Sequence, residues 1–254
     1  MKLEGKYCIV TGGSSGIGYD LVKQLLDQGV HVLAVSRRAE KMAIEHECLI
    51  KKNFDLSTKT AIDEMFDYAM EAFGQIDLFI ANAGFAYYEI LDYSDWRHIE
   101  DIFRLNTLGV IYSATKMKER FKDSPFNFMV TASAVSFLSM PGHALYSSTK
   151  AAIRGFMDAM QLESQKHHVF QTVFPVAVKT PFFVRAKQEH LPWPVQSSEH
   201  VAKTMIKGIK KDKKRIYPFK LFKYSYLLLP WFFVIYVKIQ TKKFFKIMRR
   251  RKEE

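Results

Sequence analysis

Cysteine is scarce. Cys8 and Cys48 are the only two in 254 residues, too few for a disulfide framework, and a reducing, cytoplasmic compartment is expected. No secretory leader is expected either, because the first apolar run, residues 7–10, is far too short for one. The apolar run at residues 224–237 has fourteen residues and is broken by Pro230, against ~20 for a spanning helix. Acids are scarce at one end only. From Lys203 onward, 17 of the 38 Lys and Arg stand against 3 of the 26 Asp and Glu, so that stretch is +14 and the first 202 residues are −2. Such asymmetry suits an anionic partner for the tail and a near-neutral body. No internal repeat and no low-complexity linker interrupts the first 200 residues, and no metal site is read from the sequence.

What is present is an alternation of strand and helix signals. Short apolar runs at residues 7–10, 30–36, 77–81, 127–132 and 171–174 read as strands. Segments with helical spacing lie between them, at 17–28 before Gly29, at 59–73 before Gly74, and at 146–165. Strands that are apolar throughout, separated by helices, predict an α/β fold: a doubly wound parallel sheet of Rossmann type with helices on both faces. Hydrophobic residues make up 48 % of the chain, enough for one large domain. The expected division is a catalytic unit at 1–205 and a basic, apolar C-terminal helical extension at 206–254.

Between the first strand and the first helix stands TGGSSGIG, residues 11–18. Glycine loses more freedom on folding than any other residue, so a cluster of it needs a reason. Gly12 permits the turn, while Gly16 and Gly18 let a pyrophosphate and the strand come close to the helix. The N–H groups of the helix start, with Ile17, face the phosphates, and the Ser14 and Ser15 hydroxyls add donors. The second strand ends in Ser36-Arg37-Arg38. An acid there would take the ribose of NAD; a serine and arginines suit the 2′-phosphate, so NADP(H) is the expected cofactor.

Tyr146 and Lys150 are four apart on a helix and share a face. An ammonium beside a phenol lowers its pKa from ~10, and a lowered Tyr146 would exchange a proton with a carbonyl oxygen more readily near neutral pH. The TGxxxGxG spacing together with YxxxK resembles the short-chain dehydrogenase/reductase family, over roughly residues 3 to 205. The resemblance implies a catalytic set of Asn106, Ser133, Tyr146 and Lys150: Ser133 holds the substrate oxygen, Lys150 the nicotinamide ribose, and Asn106 a water linked to the lysine. It also implies cofactor contacts from Asp55 and Leu56 at the adenine, from Asn82, Ala83 and Gly84 in ANAG, where the family has NNAG, and from Pro175, Val178 and Thr180 at the carboxamide. Val176 stands where the family has glycine.

Pocket walls are expected from Phe85, Tyr87 and Tyr88, from Val135 and Phe137, and from a lid at 182–195 beginning with Phe182. His143 is a substrate contact or a structural histidine. These stretches are aromatic and aliphatic, so an apolar ketone or aldehyde fits better than a sugar or acid. The reaction expected is NADPH-dependent carbonyl reduction, with a lipid-derived ketone as substrate; long-chain keto-sphingoid reductases are similar. The rivals are a 3-oxoacyl thioester reductase and a non-catalytic cofactor sensor or scaffold. Pairing of the helices that carry Asn106 and Tyr146 would give a homodimer or homotetramer. In the tail, Lys238, Lys242, Lys246 and Arg249 share one helical face and Val237, Phe244 and Met248 another. The second face is expected to dip into an anionic membrane surface, or to pack on the body. Aromatic and basic residues come in separate blocks, unlike a nucleic-acid stacking platform.

Overall fold

The computed structural model describes residues 1–188, 190–228 and 230–253. β1 (Tyr7–Thr11), α1 (Gly16–Leu26), β2 (His31–Ser36), β3 (Leu49–Asn53) and α2 (Lys59–Phe73) form the first part. β4 (Leu78–Ala81), α3 (Trp96–Phe103), α4 (Gly109–Arg120), β5 (Phe126–Thr131), α5 (Ala144–Glu163) and β6 (His168–Val173) follow. Then come β7 (Ala177–Lys179), α6 (Pro181–Arg185), β8 (Val195–Ser197), α7 (Ser198–Lys210), β9 (Arg215–Ile216), α8 (Lys220–Leu228) and α9 (Pro230–Glu253). The eight segments read from the sequence are all present, with ends displaced by at most three residues.

Seven strands form one parallel sheet in the order β3-β2-β1-β4-β5-β6-β9. The central strands β1, β2, β4 and β5 run largely apolar because helices cover both faces, whereas the edge strand β3 carries Lys51, Lys52 and Asn53. On one face Leu21 and Leu25 of α1 and Val201 and Met205 of α7 pack over Val10 and Val32. On the other, Phe66 of α2 stacks on Phe79, which stacks on Phe128, at centroid distances of 5.5 and 5.2 Å. Ile153 and Met157 of α5 close that core. Burial of each such side chain is worth roughly 1.5–3 kcal/mol, so the sheet is a stiff platform for whatever sits at its rim.

Local signals place the ends. Thr58 caps α2 by accepting from the Ala61 N–H, and Gly74 stops it in the left-handed region, at φ +71°. The strand order reverses between β1 and β4, and the carboxyl ends of strands at such a switch point form a crevice. Among the elements not read as segments in the sequence, two features bear on the site. β7 and β8 pair in a small parallel sheet that closes the base of the lid. β9 is a seventh strand, beyond α7, so residue 205 lies inside a helix whose continuation returns to the sheet.

Candidate active site

A single cavity of about 450 Å³ runs across the rim of the sheet, from the glycine loop to the C-terminal helices. At one end lie Gly12, Ser14, Ser15, Gly16 and Ile17. The loop is packed so tightly that side chains are excluded. A Cβ on Gly12 would lie 2.9 Å from Ala83 Cα, and one on Gly16 would lie 2.9 Å from Thr180 Cγ2. Both glycines also take positive φ, +67° and +56°. Gly18 is the exception among the expected contacts. It does not line the cavity; a Cβ there would lie 2.1 Å from the Gly12 carbonyl oxygen, so its place is in packing α1 under the loop. Ser15 precedes α1 in extended conformation without capping it through its side chain, and the first turn of α1 holds no acid. The helix start therefore offers N–H donors to an anion.

Ser36, Arg37, Arg38, Asp55 and Leu56 line the far wall. Both arginines are exposed, and among the described residues neither enters an ion pair. One Asp55 oxygen accepts from Ser57; the cap of α2 is Thr58, not Asp55. Asn82, Ala83 and Gly84 floor the centre. Asn82 is fixed between strands, accepting from Thr131 Oγ1 at 3.0 Å and donating to the Thr11 carbonyl at 3.3 Å. Pro175, Val178 and Thr180 also line the cavity, Thr180 directly against Gly16 of the loop. This cradle, with its excluded side chains, phosphate-facing helix start and arginines, fits a dinucleotide. Among the described residues no group of His, Cys, Asp and Glu is arranged to hold a metal ion.

Ser133, Tyr146 and Lys150 face the middle of the cavity. Ser133 lies two residues beyond β5, its hydroxyl accepting from the Val135 N–H at 3.3 Å, and its influence on the Tyr146 phenol is to lower its pKa. Lys150 Nζ lies 5.7 Å from the centre of the Tyr146 ring and donates to the Thr131 carbonyl at 2.8 Å. Asn106 is fully buried in a π-helical turn, Arg104–Leu108, and does not line the cavity. Its amide brackets the backbone of Phe85, accepting from the N–H at 3.1 Å and donating to the carbonyl at 2.8 Å, and it also donates to Thr149 Oγ1. This side chain is engaged with the backbone of Phe85, and it fixes the chain beyond ANAG.

The match to known proteins now has a geometry to attach to. A family model described as short chain dehydrogenase covers residues 6–191. The chain belongs to the short-chain dehydrogenase/reductase family. Versicolorin reductase of Emericella nidulans is 27 % identical over 203 residues, spanning 75 % of this chain and 76 % of that protein. The 3-ketodihydrosphingosine reductase of Bos taurus is 28 % identical over 205 residues, 74 % of this chain and 61 % of the bovine protein. Among solved structures, a short-chain dehydrogenase/reductase of Burkholderia phymatum in complex with NAD superposes with a TM-score of 0.79 at 18 % identity, covering 89 % of this chain and 92 % of that one. A short-chain dehydrogenase of Sphingobium yanoikuyae in complex with NADPH gives 0.74 at 21 % identity, covering 84 % and 87 %.

In this short-chain dehydrogenase/reductase the electrostatics differ from the sequence expectation. Burial pushes the Tyr146 phenol up to about 12, against which the Ser133 hydrogen bond pulls only weakly. Burial also pulls the Lys150 ammonium down to about 8. The expected depression of the phenol by the lysine is therefore corrected: in the folded chain desolvation of both groups outweighs their mutual attraction. At neutral pH the phenol holds its proton and the lysine is still charged.

Beyond Ser133, Tyr146 and Lys150 the cavity opens into an apolar chamber. Val135, His143 and Phe182 line it, as expected. His143 is buried, its Nε2 2.9 Å from Gln188 Oε1 on the lid, and burial lowers its pKa. Phe85 also lines the chamber, but Tyr87, Tyr88 and Phe137 do not. Tyr87 stacks on His98 at 3.7 Å, Tyr88 packs against Phe244, and Phe137 lies between Phe174 and Arg154. Trp193 lines the chamber from the expected lid, and the remaining places are taken by residues the motifs did not mark: Leu138, Met140, and above all Phe222, Phe232 and Phe233 from α8 and α9. The density of aromatics at 217–236 was the available signal.

Proposed function

We propose that this protein is an NADP(H)-dependent carbonyl reductase acting on an apolar, lipid-derived ketone or aldehyde. The observation that carries the reading is the pair of hydroxyls, Ser133 and Tyr146, lining one cavity where a dinucleotide cradle meets an aromatic chamber. A bound nicotinamide supplies the hydride. Ser133 donates a hydrogen bond to the substrate oxygen and fixes its position as negative charge grows there. Tyr146, protonated at neutral pH, gives its proton to that oxygen. Lys150 keeps a positive charge in the same buried space, which favours the phenolate left behind. Asn106 and its π-turn hold Phe85, and with it the chamber wall, in register.

The preference for NADP(H) rests on Ser36, Arg37 and Arg38, which line the cavity where NAD enzymes place an acid. The similar protein complexed with NADPH and the one complexed with NAD leave both cofactors open by likeness alone. The apolar substrate follows from the chamber walls, Phe182, Trp193, Phe222, Phe232 and Phe233. An apolar stripe on α5 (Ala152, Gly155, Ala159 and Leu162, all exposed) supports a homodimer or tetramer paired through that helix. A 3-oxoacyl thioester reductase is the second reading, favoured by the same chamber but not by any charged collar specific to it.

The test is NADPH oxidation by the purified full chain with a ladder of 2-ketones and with 3-ketosphinganine. Specificity, kcat/KM, is expected to climb with apolar chain length at ~0.8 kcal/mol, or roughly threefold to fourfold, per buried methylene. NADPH is expected to serve better than NADH. Turnover confined to short polar ketones, or a preference for NADH, would contradict the proposal.

A further inference from the structure

Of the two places expected for the tail's apolar face, the structure takes the second, against the body. The face expected to dip into lipid, Val237, Phe244 and Met248, is turned inward: Phe244 is 5 % exposed and packs on Tyr88 and against Gly142. Tyr236 Oη donates to the Trp193 carbonyl at 2.6 Å, so α9 is fastened to the lid. The outward face of α9 then divides along its length. Its first half presents Trp231, Val234, Ile235 and Ile239, exposed by 61, 55, 50 and 48 %. From Lys238 onward it presents Lys238, Lys242, Lys246 and Arg249, all exposed, with Ile239 and Phe245 between them.

The apolar half adjoins the mouth of the chamber. Trp193, Leu221 and Phe232 line the cavity and yet are 64, 59 and 39 % exposed. Lid, α8 and α9 thus make one apolar rim around an opening, next to a cationic stripe. No Asp or Glu occurs between Lys213 and Lys252 to offset it. A rim of this size on a water-exposed surface calls for a partner. A second copy of the chain fits poorly, because a two-fold contact through this face would set the two cationic stripes against each other. Among the described residues no helix is long and apolar enough to cross a membrane; an interfacial seat needs only an apolar face and basic flanks.

We propose that this rim docks on an anionic phospholipid surface, and that the apolar substrate enters the chamber from the lipid side. The docking stands on the exposed rim and its charge; the entry route rests on the reductase reading above. Trp231 and Ile235 sit in the apolar half, and Lys238 and Lys242 in the cationic half, all at the surface and none lining the cavity.

Sedimentation of the full chain with phosphatidylcholine vesicles, with and without phosphatidylglycerol, tests the docking without any turnover. Binding is expected on the phosphatidylglycerol vesicles, weakening with salt, and about tenfold or more weaker on phosphatidylcholine alone. W231S/I235S and K238E/K242E are each expected to lose about tenfold or more in vesicle binding. Both should keep the parent's turnover of a water-soluble ketone and lose turnover of a long-chain ketone delivered in the vesicles. Absence of binding to anionic vesicles, or variants that bind like the parent, overturns the docking. A variant that changes from dimer to monomer with vesicle binding unaltered overturns it too, and assigns the rim to a second copy. Vesicle binding with no reduction of any ketone sinks the reductase reading and leaves the docking standing.

Discussion

Lys150 and Tyr146 work in a space that suppresses charge. The lysine, lowered from 10.5 to about 8 by burial, is protonated at pH 7 and loses its proton as pH rises through 8. The phenol, raised to about 12, stays protonated throughout that window. The reductive kcat/KM, which reports groups of the free enzyme, is therefore expected to be flat near pH 7 and to fall about tenfold per unit above pH 8. A profile that stays level to pH 9.5, or rises, contradicts the assignment. The same depression has a sign for stability. The folded chain binds this proton less tightly than the unfolded one, so the burial penalty is full below pH 8 and is relieved between 8 and 10.5. At this scale the sequence was legible in identity and illegible in state. A spacing of four put Tyr146 and Lys150 on one face, but nothing in it said that both would be buried, which decides the direction of each shift.

At the scale of elements, the glycine loop and the π-turn are fixed by what they touch. Gly18 leaves 2.1 Å between an added Cβ and the Gly12 carbonyl oxygen, a backbone atom that cannot swing aside. Gly18→Ala is expected to cost about 1–3 kcal/mol, lowering the melting temperature by several degrees, and to raise the Kd for NADPH. Thermal denaturation and a cofactor titration check both, and unchanged values would remove Gly18 from this role. Five strands and the long helices α1, α2 and α5 were readable because their periodicity is local: β5 is buried at every residue and four of its six residues are apolar. The π-turn at Asn106 has no local pattern of its own; its asparagine is held by a partner, Phe85, twenty-one residues away. β9 has two residues and no pattern of its own; it exists because β6 offers an edge.

At the scale of the whole molecule, the C-terminal extension belongs to the site. It supplies Phe222, Phe232, Phe233 and Tyr236 to the chamber and clamps the loop before His143 through Phe244. Phe244→Ala is expected to free α9 from the body. That would appear as faster tryptic cleavage in the tail and a several-fold lower kcat/KM for long-chain ketones, with NADPH affinity unaltered. An unchanged cleavage rate and an unchanged kcat/KM would mean that the clamp contributes nothing. The sequence showed the tail's charge and its apolar run but not its orientation, since several rotations of one amphipathic helix satisfy the same pattern and only contact with Tyr88 and Gly142 selects among them. The central claim is that a buried, protonated phenol delivers the proton at the end of a dinucleotide cradle. The most direct measurement compares the parent with Tyr146→Phe, following NADPH binding by fluorescence and ketone reduction by NADPH consumption. The account predicts binding within about twofold of the parent and a turnover lower by about 10²–10⁴-fold; a variant that binds NADPH and reduces ketone at the parent's rate would contradict it.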